Sequence, residues 1–213
     1  MNPSKCAFGV SSGKFLGFLV HHRGIDLDPT KVEAITTLSP PITLKELRSF
    51  VGNVSYLRRF ITGLVEILKH LMEQTKKGVT SKKIQMILAD PHTMVAHVPR
   101  KPLLLYIANM EQFVGALLAQ EQQGVEKLVF YISRLMKGLE LRYSTAKKVC
   151  LSLAFAAMKF NHYFLGHHVQ LVTKSNPVKY LFICPQLSRR MVQWAILTSC
   201  LDIECIRSSS IKG

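Results

Sequence analysis

The order of strand and helix patterns between residues 103 and 206 constrains the fold of this chain more than any other feature. Apolar runs bounded by turn residues predict five strands, at 103–107, 113–120, 127–132, 168–173 and 201–206. Helical patterns cover residues 145–165, 177–182 and 187–199, and the first has Ser144 at its N-cap position and Gly166 after its last turn. This βββαβαβ order predicts an α/β (α+β) fold in which helices cover one sheet.

The first half of the chain predicts a hairpin followed by helices. Residues 5–20 contain two short apolar runs around Ser11-Ser12-Gly13, which we interpret as a turn, and residues 21–29 then turn outward. Asp28 before Pro29 is typical of a helix start and predicts a short helix over about 29–38. Another helix is expected over about 63–74, and residues 75–101 are mixed and partly extended.

The clearest helix of the first half covers about residues 44–61. Thr43 and Glu46 form a capping box at its start. At about 100° per residue, one face is apolar, with Leu47, Phe50, Val51, Val54, Leu57 and Ile61. The opposite face carries Lys45, Arg48, Gly52, Ser55, Tyr56 and Arg59. Glycine costs about 1 kcal/mol in a helix interior, so Gly52 either is merely tolerated beside solvated charges or permits a partner backbone to approach closely.

Charge narrows the choice of partner. The formal net charge at pH 7 is +15 for 213 residues, and between Lys127 and Cys200 Glu140 is the one acid among eleven Lys and Arg residues. Such a field favours polyanions, with nucleic acid foremost, although a basic protein that lost its acids by drift would look the same. No apolar run approaches a membrane span, so no membrane association is expected.

Cysteine and histidine spacing gives no metal site. The five cysteines, Cys6, Cys150, Cys184, Cys200 and Cys205, include no C-x-x-C pair, and we interpret them as reduced small hydrophobes. The histidine pairs His21-His22 and His167-His168 are adjacent, so in a strand each pair points to opposite faces. The N-terminal residues lack a signal-peptide pattern, and an intracellular location is the expectation.

Residues 5–61 resemble the end of the palm and the thumb of gypsy-type LTR retrotransposon reverse transcriptases. Residues 101–120, 129–181 and 189–206 resemble the ribonuclease H-like domain that follows in the same polyprotein, and are most like plant elements. The resemblance implies a palm-hairpin remnant at 1–22, a helical thumb-like region at 23–78, a linker at 79–101 and an RNase H-like domain at 102–213. It also implies that Arg48, Gly52 and Tyr56 follow the minor groove of the template–primer duplex. With Lys45 and Arg59, this face is expected to hold an RNA/DNA or DNA duplex weakly and electrostatically, by phosphate contacts.

The resemblance breaks down at the catalytic carboxylates. The family cuts the RNA strand of a hybrid with two Mg²⁺ ions, which need carboxylate oxygens. The family's L-Y-T-D-A-S reads LYIANM here, so Ala108 replaces the acid. Its Y-S-T-x-E-K-E-C reads YSTAKKVC, with Lys147 and Val149 for the two glutamates, and its T-D-H-x-P reads TKSNP, with Lys174 for the acid. We expect no metal, no cofactor, no small-molecule substrate and no cleavage.

Two alternatives stay open. An active ribonuclease H with unusual ligands would have to use Glu111, the nearest remaining acid. An unselected pseudogene product with marginal folding is the other, because the polymerase metal motif Y-x-D-D and an aromatic-rich stretch before the RNase H-like region are missing. A truncated element copy, beginning within the palm hairpin and stopping at 213, accounts for these losses.

Overall fold

The computed structural model describes residues 8–39, 41, 43–55, 57, 60, 64, 94–109, 112–183 and 188–207. The expected helix over 63–74 therefore lies, apart from Leu64, outside the described residues, as do Cys6 and Cys184. The described part contains two sheets, one of three strands and one of five.

The first sheet has three antiparallel strands, β1 (Ser12–Phe15), β2 (Phe18–His21) and β3 (Gly24–Leu27), in that order. The predicted turn at Ser11-Ser12-Gly13 is wrong, because the chain reverses at Leu16 and Gly17, between the paired Phe15 and Phe18. Both turn residues have positive φ, 51° and 82°, as a two-residue hairpin requires. β3 also corrects the expectation that residues 21–29 only turn outward.

Two helices follow, α1 (Pro29–Thr36) and α2 (Leu44–Ser55). Asp28 caps α1 by accepting a hydrogen bond from the Thr30 N–H at 3.1 Å, as its position before Pro29 predicts. The capping box of α2 is also confirmed, with Glu46 N–H donating to the Thr43 hydroxyl at 3.2 Å. The helices and first sheet enclose a core that contains Leu27, Ile35, Phe50, Val54, Leu57, Phe60, Leu64 and Met94.

The second sheet has the order β6-β5-β4-β7-β8. Its strands are β4 (Leu103–Asn109), β5 (Phe113–Gln122), β6 (Val125–Leu135), β7 (Val169–Thr173) and β8 (Ile203–Arg207). The first three pair antiparallel, whereas β7 pairs parallel to both β4 and β8. The predicted strands are confirmed, with ends that differ by a few residues.

Helices cover this sheet, as the sequence predicts. They are α3 (Thr145–Lys159), α4 (Asn161–Phe164), α5 (Pro177–Ile183) and α6 (Arg189–Ser199), and a 3₁₀ turn spans Gly138–Arg142. The expected continuous helix over 145–165 is wrong in detail. The chain leaves helical geometry at Phe160, whose ring is buried against Phe130, Tyr163 and Phe164.

The segment Met94–Val98 joins the two sheets. Met94 bridges Ile25 of β3, and the Val95 N–H donates to the Leu128 carbonyl of β6 at 2.8 Å. Gly24, at φ 144°, lies so close to the Met94 carbonyl that a Cβ there would clash with backbone, so only glycine fits. Hydrogen bonds between this segment and the buried Gln120 continue the attachment.

Candidate nucleic-acid interface

The carboxyl ends of β4 and β7 meet at one edge of the five-stranded sheet. These strands are parallel and in register from Leu103 with Val169 to Tyr106 with Val172. Extending that register by two residues brings Ala108 level with Lys174, the residue that follows β7. Both side chains are exposed. The structure therefore brings together two of the four positions at which the resemblance places a carboxylate, and the other two, Lys147 and Val149, lie in α3.

Helix α3 brings a third position to the same edge. The Ser152 hydroxyl lies 3.3 Å from the Ala108 carbonyl and 3.0 Å from the Lys148 carbonyl, which ties this turn of α3 to the end of β4. Val149 precedes Ser152 by three residues, on the same face of the helix, and is 8% exposed. The ends of β4 and β7 and this turn of α3 thus bring Ala108, Lys174 and Val149 to one end of the sheet.

These three side chains do not fit a magnesium ion. Mg²⁺ is held by oxygen ligands, usually carboxylates, and a methyl, an isopropyl and an ammonium group supply none. Within the described ranges, no group of three or more His, Cys, Asp or Glu side chains is arranged to hold a metal. Glu111, the acid that an active enzyme would have to use, lies outside the described residues.

A cavity of about 370 Å³ opens at this edge, beside Lys174. Its lining includes Lys174, Ser175, Asn176 and Lys179, together with Cys205 of β8. The Asn176 side-chain oxygen accepts hydrogen bonds from the Lys179 N–H at 2.8 Å and the Cys205 thiol at 3.2 Å. Burial raises the pKa of the Cys205 thiol, so it remains neutral and adds no negative charge to the cavity.

Helix α2 presents a second basic surface. Phe50 and Val54 are buried in the first core, as the apolar pattern predicts, and Lys45, Arg48 and Gly52 are exposed. Within the described part of the chain, a Cβ added to Gly52 would meet no atom within 4 Å, so no packing there explains the glycine or blocks a partner. The remaining predicted contacts, Tyr56 and Arg59, lie outside the described residues.

The one acid of the basic stretch is neutralised within the fold. Arg134 makes two hydrogen bonds to the Glu140 carboxylate, at 2.6 and 2.9 Å, and its guanidinium lies 5.2 Å from the centre of the Phe155 ring. The bond from Arg134 holds the pKa of Glu140 below its ordinary value. Basic side chains of this stretch that remain exposed are Lys137, Arg142, Lys159, Lys174, Lys179, Arg189 and Arg190.

One protein-family model matches this sheet and its helices. Residues 98–200 match the family described as the RNase H-like domain found in reverse transcriptase. The matched residues make up slightly less than half of the chain. The match begins within the segment that joins the sheets and ends after α6. This match confirms the predicted resemblance of the second half of the chain to the RNase H-like domain of reverse transcriptases.

Curated relatives extend the similarity beyond the RNase H-like domain. The retrovirus-related Pol polyprotein from transposon 297 of Drosophila melanogaster is 29% identical over 207 residues, which cover 92% of this chain and 19% of the relative. The Tf2-3 transposon polyprotein of Schizosaccharomyces pombe is 28% identical over 174 residues, 76% of this chain and 13% of the relative. The chain therefore spans about a fifth or less of these polyproteins.

Solved structures confirm the predicted fold class. A foamy viral protease-reverse transcriptase in complex with an RNA/DNA hybrid superposes with a TM-score of 0.79, at 20% identity, over 98% of this chain and 30% of that one. The same type of protein in complex with double-stranded DNA gives 0.77 at 19% identity, over 96% and 46%. At this identity the likeness concerns the fold alone.

The resemblance places carboxylate positions at Ala108, Val149 and Lys174, but sequence reasoning missed the cavity beside Lys174. Lys179 and Asn176 reach it because α5 and β8 come together at the end of β7, and their distant sequence positions carry no signal of that contact. The Arg134–Glu140 pair was equally hidden, although an isolated acid within a basic stretch is a cue for such a pair.

In the described residues, no helix is long and apolar enough to cross a membrane.

Proposed function

We propose that this chain is a retrotransposon-derived reverse transcriptase and RNase H-like segment that binds a nucleic-acid duplex without cutting it. One observation carries the proposal: the fold converges on the carboxylate positions, and Ala108, Val149 and Lys174 occupy them. The exposed basic side chains and the formal charge of +15 support phosphate binding. The solved neighbours that contain an RNA/DNA hybrid or double-stranded DNA support a duplex as the ligand.

The finer parts of the proposal rest on the sequence motifs. A gypsy-type origin, most like plant elements, is supported by LRSFVGNVSYLRRF in the thumb-like stretch and by YSTAKKVC at the start of α3. Weak, electrostatic binding is supported by the basic surfaces of α2 and of the cavity edge. The alternative of an active ribonuclease H has the intact fold in its favour but lacks the carboxylates.

The experiment is a cleavage and binding assay on one substrate. The purified chain is incubated with an end-labelled RNA/DNA hybrid in Mg²⁺ and separately in Mn²⁺, beside an active ribonuclease H. We expect the RNA strand to stay intact on a denaturing gel. Fluorescence anisotropy without divalent metal should show binding that weakens linearly in a plot of log affinity against log salt. Cut RNA would refute inactivity, and a lack of binding at low salt would refute the binding role.

A marginally folded pseudogene product is the second candidate, and the first sheet favours it. Every residue of β1 is exposed, and Phe15 and Leu16 are 66% and 79% exposed. An exposed apolar edge strand promotes aggregation. A broad thermal transition with dye binding would support this candidate. A sharp cooperative transition would contradict it, and the continuous buried cores of both halves lead us to expect the sharp one.

A further inference from the structure

We propose that the cavity beside β7 binds one phosphate group of a duplex backbone, with the ammonium groups of Lys174 and Lys179 supplying the positive charge that a metal ion would otherwise supply. This inference rests on the proposed duplex binding and names the site and the groups that make one part of it. The lost carboxylates would then have been exchanged for a cation that is part of the chain itself.

The chemistry of the cavity wall selects an anion. Lysine ammonium groups are donors only, and Ser175 adds a hydroxyl. The Asn176 oxygen is already occupied by the Lys179 N–H and the Cys205 thiol, so the amide N–H groups are the polar atoms of that side chain still available. The lining contains no carboxylate side chain. The ammonium groups would repel a cation, and a neutral donor ligand would find few side-chain acceptors in the cavity.

Two acids at the start of β8 are paired with a histidine. The carboxylates of Asp202, which precedes β8, and Glu204 both contact His168, at 2.9 and 3.2 Å. His168 precedes β7, at the end of the strand opposite to the cavity. Among the described residues, neither Lys174 nor Lys179 has an ion pair with a carboxylate. Their charge is therefore directed to whatever ligand enters the cavity.

The location of the cavity favours a phosphate group of a duplex over a free phosphate ion. The cavity lies where the ends of β7 and β8 meet α5, and Lys174 in its lining is level with Ala108 at the end of β4. In the basic stretch that continues through α3 and α6, the remaining acid, Glu140, is paired with Arg134. A polyanion that contacts the cavity can thus extend along this surface without meeting an unpaired carboxylate of that stretch. A small free phosphate would use only the cavity.

The test is the salt dependence of binding by the full-length chain. The probe is a fluorescein-labelled DNA duplex of about 20 base pairs, titrated between about 50 and 200 mM KCl, where each phosphate contact on B-form DNA contributes a slope of about 0.9. Lys174→Gln and Lys179→Gln should each reduce the slope, and the double variant should reduce it by about 0.9, the value for one phosphate contact. Over that range, the double variant should lose affinity about 3.5-fold less than the unchanged chain.

The matched control is Lys101→Gln. Lys101 is exposed and precedes β4, at the opposite end of the strands from the cavity. Its substitution therefore removes one positive charge, as the cavity variants do, but at a distance from the cavity. It should keep the slope of the unchanged chain, and Lys174→Arg should keep it too. Both cavity lysines are exposed, so their substitution leaves the cores untouched, and melting curves verify that each variant is folded.

The outcomes separate the two proposals. If the unchanged chain binds and both cavity variants keep its full slope, the phosphate site is wrong and duplex binding stands. The same holds if Lys101→Gln lowers the slope as much as the cavity variants do, because the effect is then one of total charge. If the unchanged chain does not bind at the lowest salt, duplex binding fails and the phosphate site fails with it.

Discussion

Replacing Gly52 by alanine should stabilise the chain and weaken duplex binding at the same time. Gly52 lies in the interior of α2, is exposed, and offers an added Cβ open space with no atom within 4 Å. Alanine is favoured over glycine in a helix interior by about 1 kcal/mol. For a chain of this length, that gain corresponds to a rise in melting temperature of about 2–4 °C.

The binding effect has the opposite sign because the methyl group has space only while no partner is present. A duplex backbone that approaches Gly52 closely would have to move away from Arg48 and Lys45 on the same face. We expect affinity for the labelled hybrid to fall about tenfold, which corresponds to about 1.4 kcal/mol. The assays are differential scanning fluorimetry and anisotropy at one fixed salt concentration.

Asn53→Ala is the control for this experiment. Asn53 is also exposed, lies about 100° around the helix from Gly52, and gains helix propensity on substitution by alanine. It should melt higher and bind the hybrid as the unchanged chain does. If Gly52→Ala melts higher yet binds equally well, no backbone approaches this face, and the minor-groove role of α2 is refuted. If it melts lower, the packing of α2 described above is wrong.

Four further substitutions probe residues 98–200. Glu140→Gln should cost about 1.5 kcal/mol at pH 7 by breaking the pair with Arg134. Because the folded pKa of Glu140 is lowered, the contribution is complete above its ordinary value of 4.5 and is lost as the pH falls through the lowered folded value, so the difference in urea denaturation should shrink progressively below pH 4.5. The bonds to its carboxylate partners raise the pKa of His168 above 6.5, so its stabilising contribution exists below 6.5 and is lost as the pH rises through the raised value. His168→Gln should therefore be less stable at pH 5.5 and equal at pH 9, and an equal difference at both values would contradict the pairing. Val149→Glu should lower the free energy of unfolding by about 1–3 kcal/mol, because it places a carboxylate at a buried position. Lys147→Glu, in the half-buried first turn of α3, should hardly change the stability measured by urea denaturation. Equal stabilities of these two variants would show that position 149 is solvated.

The strands of the second sheet were predictable because each is a run of apolar residues long enough to be buried on its own. β3 was not, because GIDL is only partly apolar and is held by contacts from elsewhere, including the bridge to Met94 nearly seventy residues away. The break at Phe160 was hidden for a similar reason: neither glycine nor proline marks it, and the ring packs against residues of β6 and α4. Local patterns predict elements, and tertiary contacts decide the exceptions.

The candidate site divides in the same way. Ala108 and Lys174 had to meet once β4 and β7 were parallel neighbours, and that pairing follows from the order of elements. Which side chains complete the cavity depends on the register of β8 and the angle of α5, which no local pattern encodes. The basic face of α2 was predictable, since a helix with one buried face fixes the direction of the other.

The stability of this fold does not depend on carboxylates at Ala108, Val149 or Lys174. Ala108 and Lys174 are exposed, so losing carboxylates there removes nothing from the cores. Val149 is buried, and an isopropyl group at that position avoids the free-energy cost of desolvating a carboxylate. Removing several neighbouring carboxylates also relieves their mutual repulsion when no metal is bound. Each of these substitutions should leave the free energy of unfolding equal or higher, as expected from the general trade-off between stability and activity. Under the proposed loss of cleavage, an intact fold is therefore what physical chemistry predicts, and the groups at the sheet edge are what would distinguish such a chain from one that cuts.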